Sequence, residues 1–306
     1  MIYHFILNPK AGRSRKQKNI ESIIKAACQK RKLSYHIYYT TMPGDATEYV
    51  RSMLRISSDV QRFISVGGDG TLNEIVNSAP LSENAEFGII PYGSGNDFVR
   101  NFDNTDVFFS IEAQLDGEAA KLDLIKYNDA YTVNMINIGF DCTAARFAAK
   151  FKKRKLIGKT FSYTLGVMKA FFGKIGTKMK LTFDDGTVFD DVYTLTAIGN
   201  GSFCGGGYRA LPYAKLDDGI ANVCSVKKVS RLTLLRFISS YKKGTHLEKE
   251  KIKNYFLTKE ASHFKVEFSS PVPVCVDGEI KGAMTLDVEV IPKAFNFVIP
   301  KGSSYR

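Results

Sequence analysis

The sequence is poor in the residues from which disulfide frameworks and histidine-based metal sites are built. Its five cysteines (Cys28, Cys142, Cys204, Cys224 and Cys275) are odd in number, widely scattered and form no C-x-x-C pair. That argues against a zinc ribbon and for a reducing compartment. The four histidines, His4, His36, His246 and His263, are equally dispersed. No run approaches the roughly 20 apolar residues needed to span a bilayer. The apolar start Ile2 to Leu7 is broken at once by Asn8-Pro9-Lys10, too early for a secretory signal. A soluble, cytoplasmic protein is expected. Familiar catalytic signatures are missing too. Gly158-Lys159-Thr160 resembles the end of a P-loop, but Lys153 stands where its first glycine belongs. Gly68-Asp69-Gly70 begins a dinucleotide fingerprint that fails at Asn73, and there is no G-x-S-x-G element or histidine-based triad.

What remains is ordinary globular chemistry, 44% hydrophobic and 24% charged over 306 residues, comfortable for two domains. Net charge is +12, and its placement matters more than its size. Between Arg146 and Lys180 there are eleven Lys or Arg and no Asp or Glu, interleaved with Phe147, Phe151, Leu156, Ile157, Phe161, Tyr163, Phe171 and Phe172. Such a mixture suits an anionic membrane surface; a solvated helix face or nucleic acid would draw on the same composition. We expect peripheral membrane contact and no nucleic acid.

The first third alternates strand and helix signals. Apolar runs at Tyr3 to Leu7, Tyr35 to Tyr39, Phe63 to Val66 and Phe87 to Ile90 are separated by helical patterns. Repeated units of this length predict a parallel sheet covered by helices, in which ligands bind beyond the carboxyl ends of the strands. From about residue 125 the pattern changes to closely spaced strands with turn signals, among them Tyr131 to Ile138, Lys180 to Phe183, Val188 to Ile198, Ile220 to Val226, Phe264 to Phe268, Val272 to Val276 and Met284 to Ile291. An antiparallel sandwich or barrel is predicted there, with Phe295 to Ile299 a strand free to return to the first domain.

Three loops fall at the strand ends of the first domain. Gly67-Gly68-Asp69-Gly70-Thr71 links a buried strand to the helical Leu72-Asn73-Glu74-Ile75-Val76. Glycines permit positive φ and let backbone N–H groups approach a ligand, and a helix start adds free donors. Asp69 among those donors makes sense if a metal ion or a polarised hydroxyl mediates. Asn8-Pro9-Lys10-Ala11-Gly12-Arg13-Ser14 reads as a second phosphate loop or as a plain turn capped by Ser14. Pro91-Tyr92-Gly93-Ser94-Gly95-Asn96-Asp97-Phe98 again joins glycines, a hydroxyl and an acid. Asp69 and Asp97 together suit hydrated Mg²⁺, which prefers oxygen ligands and keeps several waters. Farther on, Gly205-Gly206-Gly207 suggests close backbone approach. Asp217-Asp218-Gly219 admits a cation site or a turn, and Val276-Asp277-Gly278-Glu279 reads as a hairpin turn.

Taken in order, these elements resemble the diacylglycerol kinase catalytic-domain family of lipid kinases, in particular the soluble bacterial diacylglycerol kinases. The carriers are Asn8-Pro9-x-x-Gly12, Gly67 to Asn73, Pro91-x-Gly93-Ser94-x-Asn96-Asp97-Phe98, Gly205 to Gly207, Lys215 to Gly219 and Val276 to Glu279. They span nearly the whole chain. The glycine-rich loop alone is also found in NAD kinases and has a relative in phosphofructokinases.

The resemblance implies an N-terminal Rossmann-like or phosphofructokinase-like domain (residues 1–124 with 293–306) that binds ATP. A C-terminal antiparallel β-sandwich (residues 125–292) would take the lipid substrate. It assigns ATP contacts to Asn8, Pro9, Lys10, Ala11, Gly12, Thr41, Gly67, Gly68, Asp69, Gly70, Thr71, Leu72, Asn73 and Ser94. It gives catalytic Mg²⁺ organisation to Asp69 and Asp97, the general base to Glu279, and a structural Mg²⁺ to Asp218 with the carbonyls of Lys215 and Ile220. Asn222 departs from the Asp that many relatives carry there. The expected function is ATP- and Mg²⁺-dependent phosphorylation of diacylglycerol, with peripheral attachment to an anionic membrane and a possible homodimer. The alternatives are another lipid acceptor (a sphingoid base, phosphatidylglycerol or a polyprenol), an NAD kinase, or a membrane-binding regulator without turnover.

Overall fold

A computed structural model of the chain describes residues 1–11, 19–140, 142–144, 147, 169, 171, 173 and 175–306. Gly12, Arg13, Ser14 and Arg15, and most of the basic stretch between Arg146 and Lys180, lie outside the described residues. The chain divides into two units, Met1–Leu124 with Pro292–Arg306, and Ile125–Ile291.

In the first unit β1 (Ile2–Leu7), α1 (Ile20–Lys30), β2 (Tyr35–Tyr39), α2 (Asp45–Ile56), β3 (Gln61–Gly67), α3 (Asp69–Ser78) and β4 (Ala85–Pro91) alternate, and a short helix α4 (Ile111–Leu115) follows. β1 pairs in parallel with β2 and β3, and β3 with β4. Near the C-terminus Asn296 and Phe297 pair in parallel with Glu86 and Phe87 of β4. β3 is buried along its whole length, as expected of a parallel strand covered on both faces. Tyr3, Phe5 and Leu7 with Ile64 and Val66 pack against Ile20 and Ile24 of α1 and Ile111 and Leu115 of α4. Phe98, Phe102 and Phe297 form an aromatic cluster, with ring centroids 4.9 Å (Phe98–Phe297) and 5.4 Å (Phe102–Phe297) apart.

The register places Leu7 opposite Val66 and Tyr39, and Gly67 opposite Pro91. The loops after β1, β2, β3 and β4 therefore leave the sheet from one edge. A buried charge helps hold the sheet. Arg62 donates from Nε to Glu86 Oε2 (2.7 Å), and from Nη1 to the carbonyls of Gln114 and Gly117, both at 3.0 Å, where α4 leaves carbonyls without helical partners.

The second unit is antiparallel. Its elements are the end of β5 (Glu118–Tyr127), β6 (Ala130–Thr132), β7 (Met135–Gly139), β8 (Thr177–Phe183), β9 (Val188–Gly199), β10 (Phe203–Cys204), β11 (Tyr208–Arg209), β12 (Ala221–Lys227), α5 (Arg231–Lys243), β13 (Phe256–Ala261), β14 (His263–Val276) and β15 (Glu279–Ile299). The ladder runs β13–β12–β9–β7–β14–β15, and β8 pairs with both β14 and β9. One core gathers Ile136, Leu181, Tyr193, Val223, Phe264 and Val288; another gathers Leu195, Cys224, Leu234, Phe237, Tyr241 and Phe256.

Several sequence boundaries change. Phe264 to Phe268 and Val272 to Val276 are one strand, β14, whose register shifts between Glu267 and Val272, where Pro271 has no N–H to give a ladder. Met284 to Ile291 and Phe295 to Ile299 also belong to one strand, β15. Helix α5 falls between the expected strands Ile220 to Val226 and Phe264 to Phe268, where no element is predicted. Its boundary signals are in the sequence: Ser230 accepts from Thr233 N–H at 3.2 Å, and Gly244 ends the helix at φ 77°. Among the described residues no helix is long and apolar enough to cross a membrane.

Two predictions follow from these contacts. Removing Arg62 leaves Glu86 and the α4 carbonyls without their donor, so Arg62→Ala should cost about 3–5 kcal/mol in urea denaturation; a loss below about 1 kcal/mol would refute the buried-pair account. His263 lies between two acids, with Nδ1 2.8 Å from Asp184 Oδ1 and Nε2 3.0 Å from Asp287 Oδ1. Carboxylates on both ring nitrogens call for both protons, and the Asp184 contact foremost raises the histidine above its ordinary value. A raised folded value means the stabilisation is complete below the unfolded value of about 6.5 and fades as pH rises through the folded one. The stability gap between wild type and His263→Gln should be widest near about pH 6 and close by about pH 9. A gap that widens with pH contradicts the bridge.

Candidate active site

The loop after β1 is a turn built on Asn8. Ala11 N–H donates to Asn8 C=O and Lys10 N–H to Asn8 Oδ1, both at 3.0 Å, with Pro9 at the turn position that suits its fixed φ. Asn8 Nδ2 then reaches Thr71 Oγ1 at 3.2 Å, which ties this loop to the first turn of α3. Lys10 Nζ donates to Thr41 C=O at 3.3 Å. Thr41 is held in turn by Asp45, whose Oδ2 accepts from Thr41 N–H (2.7 Å) and Oγ1–H (2.9 Å) while Oδ1 accepts from Tyr38 (2.6 Å). The Tyr38 contact foremost, then Thr41, lowers the Asp45 carboxyl below its usual range. Asp45 has no sequence motif; only an acid at the start of a helix pointed to it.

The Gly67 to Thr71 loop and the Gly93 to Asp97 loop touch through their backbones. Gly93 N–H donates to Gly67 C=O at 2.9 Å. A Cβ on Gly93 would stand 2.4 Å from Gly68 Cα, and a Cβ on Gly68 2.9 Å from Gly93 Cα. The glycines are therefore required by close approach. Of the two uses expected of the Gly67 to Thr71 glycines, positive φ is not seen: Gly67, Gly68 and Gly70 are not among the left-handed residues, nor are Gly93 and Gly95, whereas Asn96 is, at φ 51°. Asn tolerates that region, and Asn96 Nδ2 donates to Pro91 C=O at 2.7 Å.

Asp69, the first residue of α3, joins the two loops. Its Oδ2 accepts from Asp97 N–H (3.2 Å) and its Oδ1 from Phe98 N–H (3.1 Å). Burial raises its carboxyl above the ordinary range, opposed by those two N–H groups. Asp97 lies beside it, 3.5 Å from Arg100. A Cβ on Gly95 would be 3.1 Å from Asp97 Oδ2 and 3.3 Å from Asp69 Oδ2, so the two carboxylates border one small space. Thr71 and Leu72 are buried; Gly70 and Asn73 are half-buried on α3; Ser94 is exposed between Gly93 and Gly95. Leu72 packs its side chain inside, so only its backbone is free to serve a ligand.

An all-oxygen pair fits Mg²⁺. Among the described residues no three His, Cys, Asp or Glu side chains converge as a metal site, but Mg²⁺ held by one or two carboxylates and phosphate oxygens needs no third. Because both Asp69 oxygens already accept N–H groups, a water-mediated contact disturbs this arrangement least.

In the second unit Val276 pairs with Glu279 across Asp277 (φ 45°) and Gly278 (φ 89°), the two left-handed residues of a type I′ hairpin. Glu279 is exposed there. Asp277 is the buried member, and its carboxylate accepts from Val133 N–H and Met135 N–H, both at 3.0 Å. Asp218 Oδ1 accepts from Ile220 N–H at 3.1 Å, with partial burial raising the carboxyl. Lys215 is near enough to act on it electrostatically, and Asn222 follows in β12. Gly205 to Gly207 form a turn. All three have positive φ, 59°, 79° and 108°, in the turn between β10 and β11; a Cβ on Gly206 would meet nothing within 4 Å. Their positive φ is what this turn asks of glycine.

Comparison with known families adds a second line of observation. Residues 3–127 match the diacylglycerol kinase catalytic domain, and residues 134–299 match the YegS C-terminal NAD kinase beta sandwich-like domain. The chain belongs to the diacylglycerol kinase catalytic-domain family. It is 26% identical to a diacylglycerol kinase of Staphylococcus carnosus, covering 97% of this chain and 94% of that one. It is 25% identical to one of Bacillus subtilis, with 97% and 95% coverage. A solved structure of a candidate diacylglycerol kinase from Bacillus anthracis superposes with a TM-score of 0.75 at 26% identity, over 98% of this chain and 97% of that one. The second unit is thus β-sandwich-like. The matches support a kinase, and membership of a kinase family implies the use of ATP.

The Gly68–Gly93 contact tests the geometry of this family member directly. Gly93→Ala should lower stability by about 1–3 kcal/mol in urea denaturation, as overpacking against backbone does. Gly282→Ala, where a Cβ meets nothing within 4 Å, should change it by less than about 0.5 kcal/mol. Equal effects at the two positions would count against the close approach.

Proposed function

We propose that the chain is an ATP- and Mg²⁺-dependent lipid kinase that converts diacylglycerol to phosphatidic acid. The observation that carries the reading is the junction of loops after β1, β3 and β4, in which Asp69 and Asp97 border one space beside backbone donors. The Rossmann-like or phosphofructokinase-like character of the first unit belongs to the same reading. Its sheet edge would receive ATP through Asn8, Pro9, Lys10, Ala11, Thr41, Gly67 to Asn73 and Ser94, and the second unit would take the lipid. Gly12 completes the first loop in sequence.

Phosphoryl transfer depends mainly on positioning and on stabilising charge. Backbone N–H groups at the start of α3 suit phosphate oxygens. Asp69 and Asp97 would hold Mg²⁺, which when bound neutralises charge on the β- and γ-phosphates. Asp218 with the carbonyls of Lys215 and Ile220 would hold a second, structural one. Glu279 is assigned as the general base, taking the proton of the acceptor hydroxyl as its oxygen bonds to the γ-phosphorus and ADP leaves. Peripheral contact with an anionic membrane would give access to the acceptor, and a homodimer is compatible with this reading.

Labelled ATP offered with diacylglycerol, sphingosine, phosphatidylglycerol, a polyprenol or NAD separates the acceptors. Diacylglycerol is expected to be labelled, and Glu279→Gln should slow that labelling by about 10²–10⁴-fold, the usual weight of a positioned base. Because Glu279 is exposed on its hairpin, the variant should melt with the wild type. Labelling of NAD alone, or of no acceptor, would overturn the assignment; wild-type turnover in Glu279→Gln would remove that residue from the mechanism.

A further inference from the structure

Helix α5 has one face that the fold uses and one that it does not. Leu234, Phe237 and Tyr241 are buried in the core with Phe256 and Ile252. On the other face Leu232 is 71% and Leu235 51% exposed. Arg231, Arg236, Lys242 and Lys243 are exposed with them, at spacings that repeat on one side of a helix. A pocket of about 600 Å³ adjoins this face, lined by Thr233, Arg236, Lys249, Lys251 and Tyr255 among others. The acids of that loop are Glu248 and Glu250, and Glu250 is engaged by Lys253 at 2.7 Å. Positive charge is therefore in clear excess around two exposed leucines. The start of the helix is also tied to the end of the basic, apolar stretch: Arg231 Nε donates to Phe171 C=O at 2.8 Å and Nη2 to Gly173 C=O at 2.9 Å.

Leucines ringed by Arg and Lys, with an amphipathic tyrosine at the margin, match the chemistry of a helix that lies in a bilayer interface. Nucleic acid would account for the charge but not for the leucines. We propose that α5 is a docking helix for an anionic lipid bilayer, with Leu232 and Leu235 entering the headgroup–acyl boundary and Arg236, Lys249 and Lys251 gathering lipid phosphates. Its purpose rests on the lipid-kinase reading; its test does not.

The chain contains no tryptophan, so Leu232→Trp introduces a single reporter. With vesicles of phosphatidylcholine and phosphatidylglycerol the indole emission should shift to the blue and be quenched by brominated acyl chains. Phosphatidylcholine alone should leave it nearly unchanged. In co-sedimentation, Leu232→Ser with Leu235→Ser should weaken partition at least about tenfold. Neutralising Arg236, Lys249 and Lys251 to Gln should weaken it about fivefold per charge. Unshifted, unquenched indole emission with the anionic vesicles, or wild-type partition of the double serine variant at an unchanged melting temperature, overturns the proposal. Phosphorylation of a short-chain diacylglycerol in detergent micelles is followed in parallel. Turnover without vesicle binding sinks the docking helix and spares the kinase. Vesicle binding without turnover of any lipid supports the docking helix while removing the lipid-kinase reading.

Discussion

The contact between Gly68 and Gly93 is the constraint on which the candidate site depends. Two loops from neighbouring parallel strands can bring their backbones together only where neither has a Cβ. The 2.9 Å hydrogen bond from Gly93 N–H to Gly67 C=O fixes that approach. Once it is made, Asp69 is within reach of the N–H groups of Asp97 and Phe98, and Asp97 is brought beside Asp69. A larger residue at either position would separate the carboxylates by displacing the loops that carry them. The chemistry of the site is therefore set by backbone packing before any side chain contributes.

Asp69 itself is an expensive choice. A desolvated carboxylate is unfavourable unless it is well hydrogen-bonded, and two backbone N–H groups with the first turn of α3 provide that compensation. The result is a residue with two linked tasks. It locks the second loop in place and leaves a negative edge beside donors that would otherwise attract phosphate directly. The proposed cation between carboxylate and phosphate rests on this combination.

Much of this was legible in sequence because the parallel sheet places motifs by topology. Apolar runs followed by glycine or asparagine announce strand ends, and a parallel order puts those ends on one edge, so Asn8, Gly67 and Gly93 were recognisable as neighbours without coordinates. What glycine was doing was not legible. Close approach and positive φ select the same residue, and only the structure separates them: Gly68 and Gly93 meet backbone to backbone, whereas Gly205 to Gly207 have positive φ. Long-range partners were invisible for a related reason. Asp45 holds Thr41, and Asp277 holds Val133 and Met135, from positions that look like ordinary caps and turns. Arg62, just before the expected strand Phe63 to Val66, carries no sequence signal of the partners it finds in Glu86 and the Gln114 carbonyl. Helix α5 lies between the expected strands ending at Val226 and starting at Phe264, where its few buried positions, Leu234, Phe237 and Tyr241, are too sparse to stand out.

The two leucines on α5 bear on how charge is distributed in the molecule. Single exposed apolar residues are normal on protein surfaces, so Leu232 and Leu235 acquire meaning only from their company. The helix already satisfies the core through Leu234, Phe237 and Tyr241, and Ser230 and Gly244 already fix its ends. Each exposed leucine leaves half or more of its surface in water, and a charged residue would be as good a helix former at either site. The surrounding arginines and lysines repel one another in water, a cost that Glu248 and Glu250 of the adjoining loop relieve only in part. Both penalties vanish against a surface that is apolar beneath and anionic above. A helix that is suboptimal in water on two independent counts, and satisfied on both by one partner, is better explained by that partner than by the fold.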